Sequence, residues 1–259
     1  MPPCPNCNSE QDEKARFCSS CGKPLVTRDV VEEMRKDSHQ RFSLQRIFLL
    51  YGILLLICVI LKFTKVEPTW KVMSFVGILI SLVIFIFTLL EGNQFFQRMF
   101  IGKYRWWMFP LIILAAIAFS VVVDVIANEL SRLNNDVFYT YMYGDTDHPV
   151  LWSIISIAVQ PAIFEELAFR GIIYDRLSPT MDISAVIVVS SILFGILHLS
   201  PISLIWLVPI ALFAAWLRKK NGHIVYGMLF HFTYNLCFVL RDAYDRGMIF
   251  NKNHIIWIH

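Results

Sequence analysis

Long apolar runs constrain this chain more than any other feature. Residues 47–64, 72–90, 106–127, 150–174, 183–199, 203–217 and 223–240 carry few charges, and most approach the roughly 20 helical residues needed to cross a bilayer core. No water is available in hydrocarbon, so each run must satisfy its own backbone N–H and C=O groups, and the helix does this within one segment. The pattern predicts an all-α polytopic transmembrane bundle of seven spans with a small polar head. Composition agrees: of 259 residues, 56% are hydrophobic and 17% charged, where a soluble domain carries about a quarter charged residues. Disorder is excluded as well, because 21 Phe, 9 Tyr and 7 Trp provide more apolar surface than collapse requires.

Basic residues set the expected orientation, since Lys- and Arg-rich loops resist translocation. Arg35, Lys36, Arg41 and Arg46 precede the first run; Arg98, Lys103 and Arg105 follow the second; Arg218, Lys219 and Lys220 follow the sixth. In a seven-span count these share one side. The loop 128–149 falls on the other, with Glu129, Asp136, Asp145 and Asp147 against Arg132. Lys62, Lys65 and Lys71 in the first connection run mildly against this order, but lysines at helix ends can snorkel. The expected divisions are 1–25 (head), 26–46 (polar linker), 47–145 (N-terminal transmembrane helices), 146–245 (core) and 246–259 (C-terminal interfacial tail).

The head holds four of the six cysteines. Cys4 and Cys7, then Cys18 and Cys21, form two CxxC pairs separated by ten residues. Two such pairs can place four thiolates tetrahedrally on one Zn2+, because each two-residue gap turns the chain back within ligand distance. A disulfide pair is the competing reading. No cleavable signal peptide precedes the head and a Lys/Arg-rich segment follows it, which favours a reducing cytosolic side and zinc. A unit of about 22 residues has too little core to fold without the metal. The segment resembles the short zinc-ribbon head of many bacterial membrane proteins. Lys14, Arg16 and Lys23 against Glu10, Asp12 and Glu13 give no basic face, so no nucleic acid is expected and a cytosolic protein contact is the better role.

Ionisable groups inside spans are costly, which makes them candidates for function. Three spans hold them: EELAFRG with Glu165, Glu166 and Arg170; FGILH with Phe194 and His198; HFTYN with His231 and Asn235. Glu166 and Arg170 are four apart, stacked on one helix face with the acid first, so the pair neutralises itself. Glu165 lies about 100° around the helix and is freer to face a cavity. A partly buried carboxylate without a full partner gains proton affinity, as a general base acting on water requires. His231 and Asn235, also four apart, can aim at one point, and Phe194 can wall the same pocket. Each residue alone has a structural explanation: a packed histidine, a structural ion pair, an amide that joins helices. Together they make a costly way to pack a bundle. A simple span places His198 about six residues beyond mid-membrane, roughly 9 Å from the level of Glu165, so a shared site requires tilted or broken helices.

In order and approximate spacing these segments resemble the EExxxR, FxxxH and HxxxN signatures of the CPBP intramembrane proteases, also called the CAAX-protease, bacteriocin-processing or Abi family. The resemblance covers roughly residues 150 to 240. It implies membrane-embedded helices around a cavity, often eight spans, so that seven to eight are expected with one run split at Pro161 or at the turn of Ser200 and Pro201, and hydrolysis of a peptide bond in a membrane-associated substrate, prenylated or leader-type. It implies that Glu165 activates water with His198 assisting, that His231 and Asn235 stabilise the oxyanion, and that Glu166 with Arg170 holds the site's shape. The family is commonly labelled metal-dependent. These motifs lack HExxH, so metal-free and metal-assisted attack by water both remain open. No serine or cysteine is evidently placed as a nucleophile. The implied protein is an enzyme of a bacterial cell membrane with its N-terminus in the cytoplasm, and its partners are the lipid bilayer and a membrane-associated peptide. A non-catalytic peptide-binding, self-immunity or scaffold protein of the same fold is the alternative. A transporter would more naturally show an internal repeat, and none is evident.

Overall fold

The computed structural model describes residues 3–12, 15, 17–23, 25, 28–64, 66–131 and 143–249. Loop residues 132–142, with Arg132 and Asp136, lie outside that set, as do Glu13, Lys14, Arg16, Lys65 and all of the expected tail beyond residue 249. The chain divides into two compact units, Met1–Arg46 and Ile47–His259.

In the first unit the two CxxC segments fold into the same turn. Cys4 N–H donates to Ser9 O at 2.9 Å and Asn8 N–H to Cys4 O at 2.9 Å; in the second turn Cys18 N–H donates to Lys23 O at 2.8 Å and Gly22 N–H to Cys18 O at 2.9 Å. The residue after each second cysteine is left-handed, Asn8 at φ 59° and Gly22 at φ 69°. Glycine and asparagine adopt that conformation at least cost. Gln11, buried, joins the turns: its Oε1 accepts from Ser19 N–H at 2.9 Å and its Nε2 donates to Ser9 Oγ at 2.7 Å.

Among the described residues, regular structure is helical apart from an isolated bridge between Pro3 and Glu10. Helix α1 is Arg28–Phe63, α2 Trp70–Glu91, α3 Asn93–Phe100 and α4 Met108–Ser131. Helix α5 runs Pro149–Leu177, followed by α6 Ile183–Ile196, α7 Leu204–Asn221 and α8 Val225–Asp245. Among the described residues four segments are long and apolar enough to cross a membrane: Gln40–Phe63, Trp70–Glu91, Met108–Ile126 and Pro149–Leu177; Ile183–Ile196 is a shorter apolar helix. Their outer faces expose Phe75, Leu82, Leu114 and Val121, which lipid rather than water would cover. The chain is an integral membrane protein with an all-α bundle. Met108, Ile112, Ile210, Tyr226 and Phe230 form a core among α4, α7 and α8.

Helix α5 carries the irregularity. It passes through Pro161 without breaking, because the turns on either side widen into π-helix over Ile154–Val159 and Leu167–Ile173. Gln160 N–H reaches back five residues to Ile155 O, and Tyr174 N–H reaches Phe169 O. Such widened turns concentrate at functional sites. The turn at Ser200 and Pro201 does separate α6 from α7.

Candidate functional site

Glu166 lies at the centre of the bundle, 0% exposed. Its Oε1 is 3.0 Å from Arg170 Nη1 and 3.1 Å from Nδ1 of His231. The i, i+4 pairing therefore survives the wider helix, and the carboxylate also reaches across to α8. Arg170 is buried with it; its Nη2 donates to Ala211 O at 3.2 Å and its guanidinium lies 4.7 Å over the Phe194 ring. A buried charge pair is tolerated only when such further contacts offset desolvation.

The other oxygen of Glu166, Oε2, has no hydrogen-bond partner and rests against Gly227 of α8. A Cβ at Gly227 would lie 2.8 Å from it. A side chain at position 227 would force the carboxylate to shift. The motif reading did not include Gly227, yet it stands four residues before His231, which is four before Asn235, so all three share one face of α8.

His231 is held through Nδ1, and its Nε2 points toward Glu165, 3.9 Å from Oε2. The Glu165 carboxylate is 29% exposed and opens on a cavity of about 130 Å³ that His198, Phe194, Phe169 and Leu197 also line. His198 lies in the turn just past α6, with its Nδ1 3.1 Å from Phe194 O. The Phe194 ring stands between the histidines, 5.1 Å from His198 and 5.9 Å from His231. The difference in depth read from simple spans thus does not keep His198 from the cavity that Glu165 faces. Asn235 is turned elsewhere: its Nδ2 donates to Ile157 O at 2.8 Å. Ile157 is four residues before Pro161, which has no N–H to give that carbonyl. One of the two amide hydrogens of Asn235 is spent there.

The cavity also has a wall that motif reading missed. Leu54 and Cys58 of α1 and Ile80 and Ile84 of α2 line it opposite Glu165. Nothing in their own segments marks them, because they are ordinary apolar residues in apolar spans.

In the head, the sulfurs of Cys4, Cys7, Cys18 and Cys21 all lie within 4.8 Å of one another, with Cys4 3.8 Å from Cys21 and Cys7 3.4 Å from Cys18. Four thiolates about 2.3 Å from one tetrahedral Zn2+ would stand about 3.8 Å apart, so the set fits. Backbone N–H groups of Asn6, Ser20 and Cys21 point at sulfur, at 3.4 Å each. The Ser9 hydroxyl draws the Cys18 thiol down to about 5, into the thiolate form that ligates metal. Among the described residues these four cysteines are the one group of metal-ligand atoms so gathered.

A membrane-embedded helical bundle with acids and histidines gathered at an internal cavity has the form of an intramembrane hydrolase. Residues 147–237 match the family model of the type II CAAX prenyl endopeptidases, Rce1-like, and this segment is a domain of that family. The match places a protease segment of the CAAX-type intramembrane endopeptidase class within residues 147–237. No curated protein and no solved structure matches the chain.

Proposed function

We propose that the chain hydrolyses a peptide bond in a membrane-associated peptide, prenylated or leader-type, by water that Glu165 activates. The observation that carries this reading is the partition of the two adjacent acids. Glu166 is spent on Arg170 and His231, while Glu165 faces the cavity with part of its carboxylate exposed. Glu165 takes a proton from water as the oxygen attacks the scissile carbonyl, and returns it to the amine as the C–N bond breaks. His198, on the same cavity, positions the water. His231 stabilises the developing oxyanion, and Asn235, whose amide rests on Ile157 O at 2.8 Å, turns toward the cavity to join it when substrate binds. Glu166 and Arg170 hold His231, with Phe194 packed between the guanidinium and the histidines. The gap of 3.9 Å between Glu165 and His231 exceeds a direct hydrogen bond and suits a shared oxygen between them.

In the same reading residues 1–25 are a zinc ribbon whose four thiolates hold a structural Zn2+, and 26–46 are a linker. Residues 47–145 are accessory helices, 146–245 the protease core and 246–259 an interfacial tail. The ribbon stands on the cytoplasmic side of a bacterial cell membrane, where the basic loops also lie, and contacts protein rather than nucleic acid.

The test is cleavage of a panel of prenylated and membrane-proximal peptides by the purified chain. Glu165→Ala and His231→Ala are each expected to abolish it. Hydrolysis that persists unchanged in both would overturn the assignment.

A further inference from the structure

The matched segment begins at residue 147, yet the cavity beside Glu165 is also lined by side chains from far earlier in the chain. Leu54 and Cys58 come from α1, Ile80 and Ile84 from α2. Both helices are fixed by polar bonds that a lipid-facing helix would not need. The Tyr51 hydroxyl of α1 donates to Leu193 O of α6 at 3.2 Å, one residue before Phe194. On α2, Ser81 Oγ accepts from Gln160 Nε2 of α5 at 2.9 Å. Gln160 seats against Gly77, where a Cβ would lie 2.7 Å from Nε2. Hydrogen bonds of this kind hold helices in register inside a bilayer. Each brackets the cavity, so the wall is positioned rather than incidental.

We propose that Leu54, Cys58, Ile80 and Ile84 form the specificity wall of this site and admit one apolar side chain of the substrate next to the bond that the Glu165-activated water attacks. This rests on the peptidase reading above. The size limit follows from the volume. The cavity measures about 130 Å³, and an apolar cavity of about 150 Å³ holds a single benzene. A leucine side chain fits, an indole does not, and a prenyl chain has to lie outside. None of the four wall residues carries a charge, so a polar side chain packed against that wall finds no charged partner on it.

Cys58 supplies a probe of occupancy that does not depend on turnover. In the full chain, its modification by methyl methanethiosulfonate is followed by peptide mass. Prenylated-cysteine peptides are present, carrying Leu or Trp in turn at each of the three residues after the cysteine. At one position Leu is expected to slow modification about tenfold while Trp leaves it unchanged. Ile84→Ala is expected to let the Trp peptide protect as well; Ile80→Ala serves if that variant does not fold. Protection that is equal for Leu and Trp at every position, or absent with all peptides, overturns the proposal. Cleavage measured in the same samples separates the two claims. Cleavage without Leu-selective protection overturns the wall and leaves the peptidase reading; Leu-selective protection without cleavage upholds the wall and overturns the hydrolysis.

Discussion

The head and the membrane core each gather costly groups at a point, by opposite means. In the head, four sulfurs meet because two four-residue segments each turn back on themselves, through backbone bonds that span no more than five residues. In the core, Glu166 and His231 are 65 residues apart in sequence and meet only when α5 and α8 are packed. A local device can be encoded by spacing. A distant one also needs complementary shape, and Gly227 opposite Glu166 is where that shape is visible. The two devices should therefore fail differently.

The largest effect is expected on the head. If the four thiolates hold the proposed Zn2+, removing it forfeits a binding energy of about 10–16 kcal/mol that doubles as folding energy. Hydrogen exchange after chelation should show residues 3–23 losing amide protection while α4, α7 and α8 keep theirs. Equal loss in both units would break the contrast.

The next is Arg170→Leu, which strands the Glu166 carboxylate in the core at a cost of about 3–5 kcal/mol, read as a fall in thermal stability in detergent. The double change Glu166→Gln with Arg170→Leu should recover part of that loss, because no buried charge is then unpaired. Gly227→Ala sharpens the claim about shape: it presses a methyl on Glu166 Oε2 at 2.8 Å and should cost about 1–3 kcal/mol, with a fall in cleavage rate as His231 is displaced. The smallest is Ser81→Ala, about 0.6 kcal/mol from one interhelical hydrogen bond in the membrane. Its effect should appear in substrate selectivity more than in melting.

Much of this was legible in the sequence. The CxxC spacing is sufficient for the head because its geometry is local. The apolar runs identify the helices, and the four-residue interval of Glu166 and Arg170 already pairs them. The separation of the two acids follows from their 100° offset, with Glu165 left to the cavity. Other features have no local signature. Asn235 bonds Ile157 because Pro161 leaves that carbonyl without its donor, a relation between two helices. The π turns of α5 follow no pattern of apolar residues, and they alter the register on which helical spacing is counted. Cys58 and Ile84 reach the cavity through packing alone, and an apolar residue in an apolar span gives no sign of which side faces the site.

The central claim is that the chemistry resides in the carboxylate of Glu165 and not in the four cysteines of the head. Its most direct test is the initial rate of peptide cleavage by the full chain with Cys4, Cys7, Cys18 and Cys21 all replaced by serine, with and without Glu165→Gln. The expected result is cleavage in the first and a fall of about 10²–10⁴-fold in the second, the range that a positioned general base contributes. Equal rates in the two would contradict the account.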